Sequence, residues 1–174
     1  MIEFEESGMR FIFDEKKSFH IEKSPVYRKL SSSGIKSVEC IVTRIYRKER
    51  NVLLIEAKQS TPNPRNYDGK LALRKFLEDV SKKNMDSLQL CYASLHGLWN
   101  TAEDLGVDLA EALRRDPKIK CVLIVKGYET EWCQKMKELL HAHMRDWLRL
   151  WKADIWVLTE AQARKFKLVH CGDM

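Results

Sequence analysis

The fold is decided by two stretches of sequence, Val38-Glu39-Cys40-Ile41-Val42-Thr43-Arg44-Ile45-Tyr46 and Asn51-Val52-Leu53-Leu54-Ile55-Glu56-Ala57-Lys58. Both are rich in β-branched and apolar residues, which favour strands. The tip between them, residues 47–50, consists of charged residues only. A short polar interruption between two such runs is typical of a β-hairpin. The sequence therefore predicts two antiparallel strands over residues 38–46 and 51–58.

The predicted hairpin gathers charged side chains at its open end. If the strands fold back near Lys48, Glu39 comes to lie opposite residues 56–58. Because side chains alternate along a strand, Glu56 and Lys58 project to one side and Ala57 to the other. Burying an unpaired charge is costly, and a divalent cation would satisfy both carboxylates. We predict a Mg²⁺ (or Mn²⁺) site made of the Glu39 and Glu56 carboxylates and the Ala57 carbonyl; the alternative is a surface ion pair with Lys58.

The remaining chain predicts helices and strands around this hairpin. Short strands are expected at residues 10–13 and 19–21, and a brief helix follows Ser24-Pro25, which is typical of a helix start. Helical spacing of apolar residues indicates one long helix, or two joined near Asn84, over residues 73–98, and further helices at 105–113, 132–151 and 160–167. Strands are expected at 121–125 and 155–158. This order predicts a single α/β domain over residues 1–174, with a mixed central β-sheet flanked by helices.

The motif of the hairpin resembles that of a known nuclease superfamily. An acidic residue early in one strand, followed by an apolar strand ending in Glu-x-Lys, is similar to the PD-(D/E)XK pattern, with Ser37-Val38-Glu39 standing where the family usually has Pro-Asp. The resemblance covers roughly residues 20–126 by element order. It implies a restriction-endonuclease-like core and hydrolysis of DNA or RNA with Mg²⁺ or Mn²⁺. The implied catalytic residues are Glu39, Glu56, Lys58 and, ahead of the hairpin, Glu22.

Substrate contacts are predicted just beyond the motif. Gln59, Ser60 and Arg65 belong to a polar segment with two prolines that would lie beside a bound phosphate. Lys82, Lys83 and Gln89 lie on the following helix, and one of them is expected to point back into the site. Lys83 is the predicted substrate contact. An ordinary loop and a solvated helix face explain the same residues equally well.

Charge and composition bound the possible partners. The net charge of +6 is concentrated in two basic groups that suit a nucleic-acid backbone, although charge runs are also common on solvated faces: Arg44, Arg47, Lys48 and Arg50, and then Arg74, Lys75, Lys82 and Lys83. The rival to a nuclease is therefore a catalytically inactive module of the same fold that binds nucleic acid or a protein. The C-terminal tryptophans favour core packing, with stacking on bases or a homodimer face as the alternatives.

The cell compartment is predicted from what the sequence lacks. No apolar run approaches the ~20 residues that span a bilayer, and the first residues are acidic where a secretory signal would be basic. Five widely spaced cysteines indicate reduced core residues without a zinc motif. We expect a soluble cytoplasmic protein.

Overall fold

The computed structural model of the protein describes residues 1–46, 48–62, 67–99 and 104–170. The chain opens with an antiparallel hairpin of β1 (Ile2–Glu6) and β2 (Met9–Phe13). The main sheet has five strands in sequential order: β3 (Ser18–Phe19), β4 (Cys40–Tyr46), β5 (Glu49–Lys58), β6 (Lys118–Val125) and β7 (Asp154–Thr159). β3, β4 and β5 are antiparallel, whereas β5, β6 and β7 are parallel. The predicted mixed central sheet is therefore confirmed.

Helices flank this sheet. They are α1 (Pro25–Leu30), α2 (Tyr67–Leu95), α3 (Val107–Leu113), α4 (Thr130–His143), α5 (Arg145–Trp151) and α6 (Glu160–Lys165), with short 3-10 turns at Glu15–Lys17, Ile21–Lys23 and Ser31–Ser33. The choice between one long helix and two is settled as one, α2. The helix predicted over residues 132–151 is divided at Met144, whose side chain is buried between α4 and α5. Strands β6 and β7, which are connected through α4 and α5, are parallel, as is usual for a strand-helix-strand unit.

The β4–β5 hairpin has the predicted register. Cys40 pairs with Ile55 and Tyr46 with Glu49, so Lys48 lies in the turn between the two strands. Lys48 has a φ of 67°, the left-handed conformation on which tight hairpin turns depend. The backbone N–H of Glu39 extends the ladder by donating to the Ile55 carbonyl at 3.0 Å. Glu39 therefore lies next to Glu56 across the hairpin.

Strand β5 is buried on both faces, which explains its continuous apolar run. Leu54 packs in one core with Leu88 of α2. Leu53 and Ile55 pack in a second core with Phe11 of the β1–β2 hairpin. The strand alternation puts Glu56 on the same side as Leu54. The second carboxylate of the motif is thereby directed towards α2.

Two further features of the described residues concern membrane-spanning helices and cysteines. In the described ranges, no helix is long and apolar enough to cross a membrane. Four cysteines, Cys40, Cys91, Cys121 and Cys133, are free and buried, as expected of reduced core residues. Cys171 lies outside the described residues.

Candidate functional site

Glu56 is the most buried member of the site. Its side chain is 0% exposed although it lies only two residues before the end of β5. Its Oε1 atom receives two ammonium groups, from Lys83 at 2.8 Å and from Lys58 at 2.7 Å. Its Oε2 atom is buried and has no hydrogen-bond partner among the described residues. An orphaned buried carboxylate oxygen is costly to keep, so this atom is a candidate for a ligand contact.

Glu39 supplies a second buried carboxylate. Its Oε1 atom lies 3.7 Å from the Lys83 ammonium, which also binds Glu56 at 2.8 Å, so the two oxygens are at most 6.5 Å apart, the sum of these distances. Burial raises the pKa of Glu39 to about 8, and the neighbouring Glu56 carboxylate raises it further than the Lys83 ammonium lowers it. Glu39 is therefore mostly protonated at neutral pH.

The backbone of Val38, the residue before Glu39, is anchored to helix α2. The backbone N–H of Val38 donates to the hydroxyl oxygen of Ser87 on α2 at 2.9 Å, within a fully buried environment. The segment ahead of β4 is thus held between β5 on one side and α2 on the other. This contact with α2 supports the position that the hairpin register gives to Glu39.

Lys83 is the counter-ion of the pair. It projects from the middle of α2 on the same helix face as Val80 and Ser87, which are buried against the sheet. Burial works to lower the pKa of Lys83, but the Glu56 and Glu39 carboxylates raise it well above its ordinary value. Burial raises the pKa of Glu56 above its ordinary value, although the Lys83 and Lys58 ammonium groups act to lower it. We conclude that Lys83 is charged and that its ammonium balances Glu56.

The main chain at Ala57 also takes part. The Ala57 carbonyl points to the same edge of β5 as the Ile55 carbonyl, and it accepts a hydrogen bond from the Ser7 hydroxyl at 3.1 Å. Ser7 and Gly8, with φ values of 52° and 67°, form the turn of the β1–β2 hairpin. A carbonyl oxygen has a second lone pair, so Ala57 still has capacity for another partner.

The N-terminal turn was not among the predicted site residues. The signal was present, because Ser7-Gly8 is a turn dipeptide set between two short runs with apolar residues at alternate positions. What the sequence does not reveal is that this turn packs on β5. It does so in part through the Lys126 ammonium, which donates to the Gly8 carbonyl at 2.8 Å.

The other predicted residues lie at the rim or elsewhere. Glu22 is exposed in the 3-10 turn Ile21–Lys23, near enough for its charge to raise the pKa of Glu39. Gln59 and Ser60 are exposed directly after β5. Arg65 lies outside the described residues. Of the three α2 candidates only Lys83 reaches the carboxylates; Lys82 pairs with Asp86 at 2.7 Å, and Gln89 is exposed.

Arg44, from the first of the predicted basic groups, has structural partners within the fold. The guanidinium of Arg44 donates to the carbonyls of Phe166 at 2.7 Å and Lys167 at 2.5 Å. Burial lowers the pKa of Arg44 from its ordinary value. This arginine therefore tethers the segment after α6 to β4 and is occupied within the fold.

The site offers only a few ligands for a hard cation. Among the described residues, no group of three or more His, Cys, Asp or Glu side chains is placed to hold a metal ion. What the site offers is two carboxylates and one main-chain carbonyl, all oxygen donors. Mg²⁺ commonly uses one or two carboxylates and keeps several waters, so these three donors fit it. The orphaned Oε2 atom of Glu56 is the observation that favours a bound cation.

Neither a protein-family model, nor a curated protein, nor a solved structure matches this chain. Its function has to be argued from its own residues.

Proposed function

We propose that this chain is a metal-dependent nuclease of the PD-(D/E)XK type, built on a restriction-endonuclease-like core, that hydrolyses phosphodiester bonds of DNA or RNA. The observation that carries the proposal is the buried Glu56 carboxylate, whose Oε2 atom has no partner in the described residues while Glu39 lies beside it. A purely structural carboxylate at 0% exposure would be expected to have both oxygens satisfied.

The order of elements supports the same proposal. Helix α1, the β4–β5 hairpin, helix α2 and strand β6 follow one another along the chain, which is the order that the resemblance implies. Glu39 and Glu56 are adjacent across the hairpin, and Lys58 shares a face of β5 with Glu56. A coincidental Glu-Ala-Lys would have no reason to meet a second buried carboxylate.

Each residue has a proposed part in the reaction. Glu39, Glu56 and the Ala57 carbonyl would hold Mg²⁺ or Mn²⁺, which when bound supplies Lewis-acid polarisation of the phosphate and a more acidic water. Lys58 is 27% exposed at the mouth of the site, so its ammonium can reach a substrate phosphate and offset the charge that develops there. Lys83 is a positioning residue that binds and orients Glu56. Glu22 at the rim, with Gln59 and Ser60 beyond β5, would contact solvent or substrate.

Nucleic acid is accordingly the proposed partner, and the cytoplasm the proposed location. The homodimer stays a prediction. Two of the C-terminal tryptophans already have partners within the chain: Trp151 stacks on Tyr92 with ring centroids 5.4 Å apart, and Trp147 packs against Trp151. These rings serve the core, so a dimer face would have to be formed by other residues.

The test is metal binding followed by cleavage. Chelator-treated wild type and Glu56→Gln are titrated with Mn²⁺ and Mg²⁺ by calorimetry, with Glu78→Gln on the exposed face of α2 as the control. We expect binding in wild type and the control and none in Glu56→Gln. The same three proteins are then incubated with single-stranded and double-stranded DNA and RNA, with circular dichroism to verify folding. Absence of metal binding in all three would refute the proposal.

A second candidate function is a catalytically inactive module of the same fold that binds nucleic acid or a protein. The observation that favours it is charge balance, because Lys58 and Lys83 already neutralise Glu56 without any metal. Such a module would bind nucleic acid equally well in chelator and in Mg²⁺ and would leave it uncut. Metal-dependent cleavage that is lost in Glu56→Gln excludes it.

A further inference from the structure

A cavity of about 300 Å³ lies next to the proposed site and has no role in the function argued so far. Its polar lining residues are Thr61, Tyr128, Glu129 and Lys135, and Trp132 lines it as well. Leu73 and Met136, from α2 and α4, are among its apolar lining residues. This volume is at the lower end of the ~300–1,000 Å³ of small-molecule sites. The cavity suits one planar group rather than an extended ligand.

The cavity lies at the same edge of the sheet as the carboxylates. Thr61 comes three residues after Lys58 at the end of β5, and Tyr128 comes three residues after Val125 at the end of β6. The two strand ends are held together where the Lys126 N–H donates to the Lys58 carbonyl at 2.9 Å. Three residues of chain span at most ~11 Å. The cavity is therefore close to the proposed site along the same edge.

The lining chemistry matches a nucleobase. Trp132 is 38% exposed, although it is a large aromatic residue at the edge of a cavity. The Lys135 ammonium lies 5.4 Å from the centre of its ring, where it can also meet a phosphate. The Thr61 hydroxyl donates to the Tyr128 hydroxyl at 2.7 Å. This pair presents donors and acceptors that could be exchanged for those of a base edge.

We propose that this cavity takes one unstacked nucleobase of the substrate strand, which stacks on Trp132 while Lys135 contacts a neighbouring phosphate. The inference rests on the proposed nuclease function and narrows its substrate class. A base inside an intact duplex is stacked and paired, so only a single-stranded, flipped or terminal nucleotide can enter a cavity of this size. The favoured substrate is therefore nucleic acid with unpaired bases close to the cleaved bond.

The test is a double-mutant cycle of binding affinity, in which the protein loses the Trp132 ring and the oligonucleotide loses one base. It is carried out in chelator, so that cleavage cannot occur. Wild type, Trp132→Ala and the control Trp99→Ala are titrated with fluorescent single-stranded oligonucleotides that carry one abasic site at successive positions. Trp99 is also exposed, at 43%, and does not line the cavity. Base stacking on an aromatic side chain corresponds to roughly a 5- to 150-fold change in affinity. We expect that loss for wild type at one abasic position and for Trp132→Ala with the intact oligonucleotide.

The loss of affinity caused by Trp132→Ala and the loss caused by the abasic site should not be additive. If Trp132 and that base contact each other, Trp132→Ala is insensitive to the abasic site that weakens wild type, while Trp99→Ala behaves like wild type. Equal sensitivity of wild type and Trp132→Ala at every position, or no binding of any oligonucleotide, overturns the inference. Metal-dependent cleavage without this non-additivity would leave the nuclease function intact and refute only the base cavity. Non-additive losses of affinity without cleavage would establish that the cavity binds a base and would refute hydrolysis.

Discussion

Replacing Glu39 by glutamine should stabilise the fold, and by an amount that depends on pH. The pKa of Glu39 in the folded protein is about 8 against an ordinary 4.5, because its carboxyl is buried beside the Glu56 carboxylate. The stability that accompanies a protonated Glu39 is therefore fully present below pH 4.5 and is lost as the pH rises to about 8. One pH unit corresponds to ~1.36 kcal/mol, so the Glu39 carboxyl lowers the free energy of unfolding by about 3 kcal/mol at neutral pH, where the fold keeps it protonated, and by about 5 kcal/mol above pH 8. Glutamine avoids this cost because it cannot ionise.

The assay is urea unfolding of wild type and Glu39→Gln at a series of pH values from about 5 to 9. The difference in the free energy of unfolding should be small at the acid end, rise with pH and level off above about 8. Glu78→Gln, which removes an exposed carboxylate of α2, is the control and should change the free energy of unfolding by at most ~0.5 kcal/mol at every pH. A flat difference for Glu39→Gln as well would refute the reasoning, because it would mean that Glu39 ionises in the fold as it does in the unfolded chain.

Three further predictions concern the same cluster. Lys83→Met removes the counter-ion of a buried carboxylate and should lower the free energy of unfolding by ~3 kcal/mol, measured in urea, whereas Lys82→Met, which breaks a surface pair, should cost at most ~0.5 kcal/mol; similar losses would contradict this assignment. Ser87→Ala leaves the buried N–H of Val38 without its acceptor and should cost about 1–3 kcal/mol in the same assay; a loss below that range would show that the N–H finds another partner. Mn²⁺ affinity by calorimetry should rise about tenfold per pH unit up to pH 8, because Glu39 must release a proton, and affinity independent of pH would exclude Glu39 as a ligand.

The geometry of the carboxylate pair was predictable because it is local. Two strands joined by a two-residue turn have a register that follows from the turn position alone, and Cys40 opposite Ile55 is the register that a turn near Lys48 implies. The alternation of side chains then determined that Glu56 shares a face with Lys58. No long-range contact was needed to place Glu39 beside them.

The rest depended on how distant segments pack. The sequence offered three polar candidates on α2 without ranking them, because the rotation of a helix on a sheet is set by its docked face. In the structure Lys83 continues the buried face of Val80 and Ser87, whereas Lys82 does not. The β1–β2 turn was missed for the same reason, since the contact between Ser7 and Ala57 joins residues 50 positions apart. Pairing of this kind leaves no periodic trace in a single sequence.

Strand β5 has one neighbour close in the sequence and one far away, and this has a consequence for how the protein folds. Its partner β4 is joined to it by a two-residue turn, whereas Lys118 of its partner β6 begins 60 residues after Lys58. Closing the longer loop costs more chain entropy and is slower than forming a hairpin. We expect the two carboxylates to face each other early in folding, while still hydrated, and to lose their water only when α2 and β6 dock. The last stage of folding would then be the one in which the acidic pair is dehydrated, so its rate should depend on the protonation of Glu39.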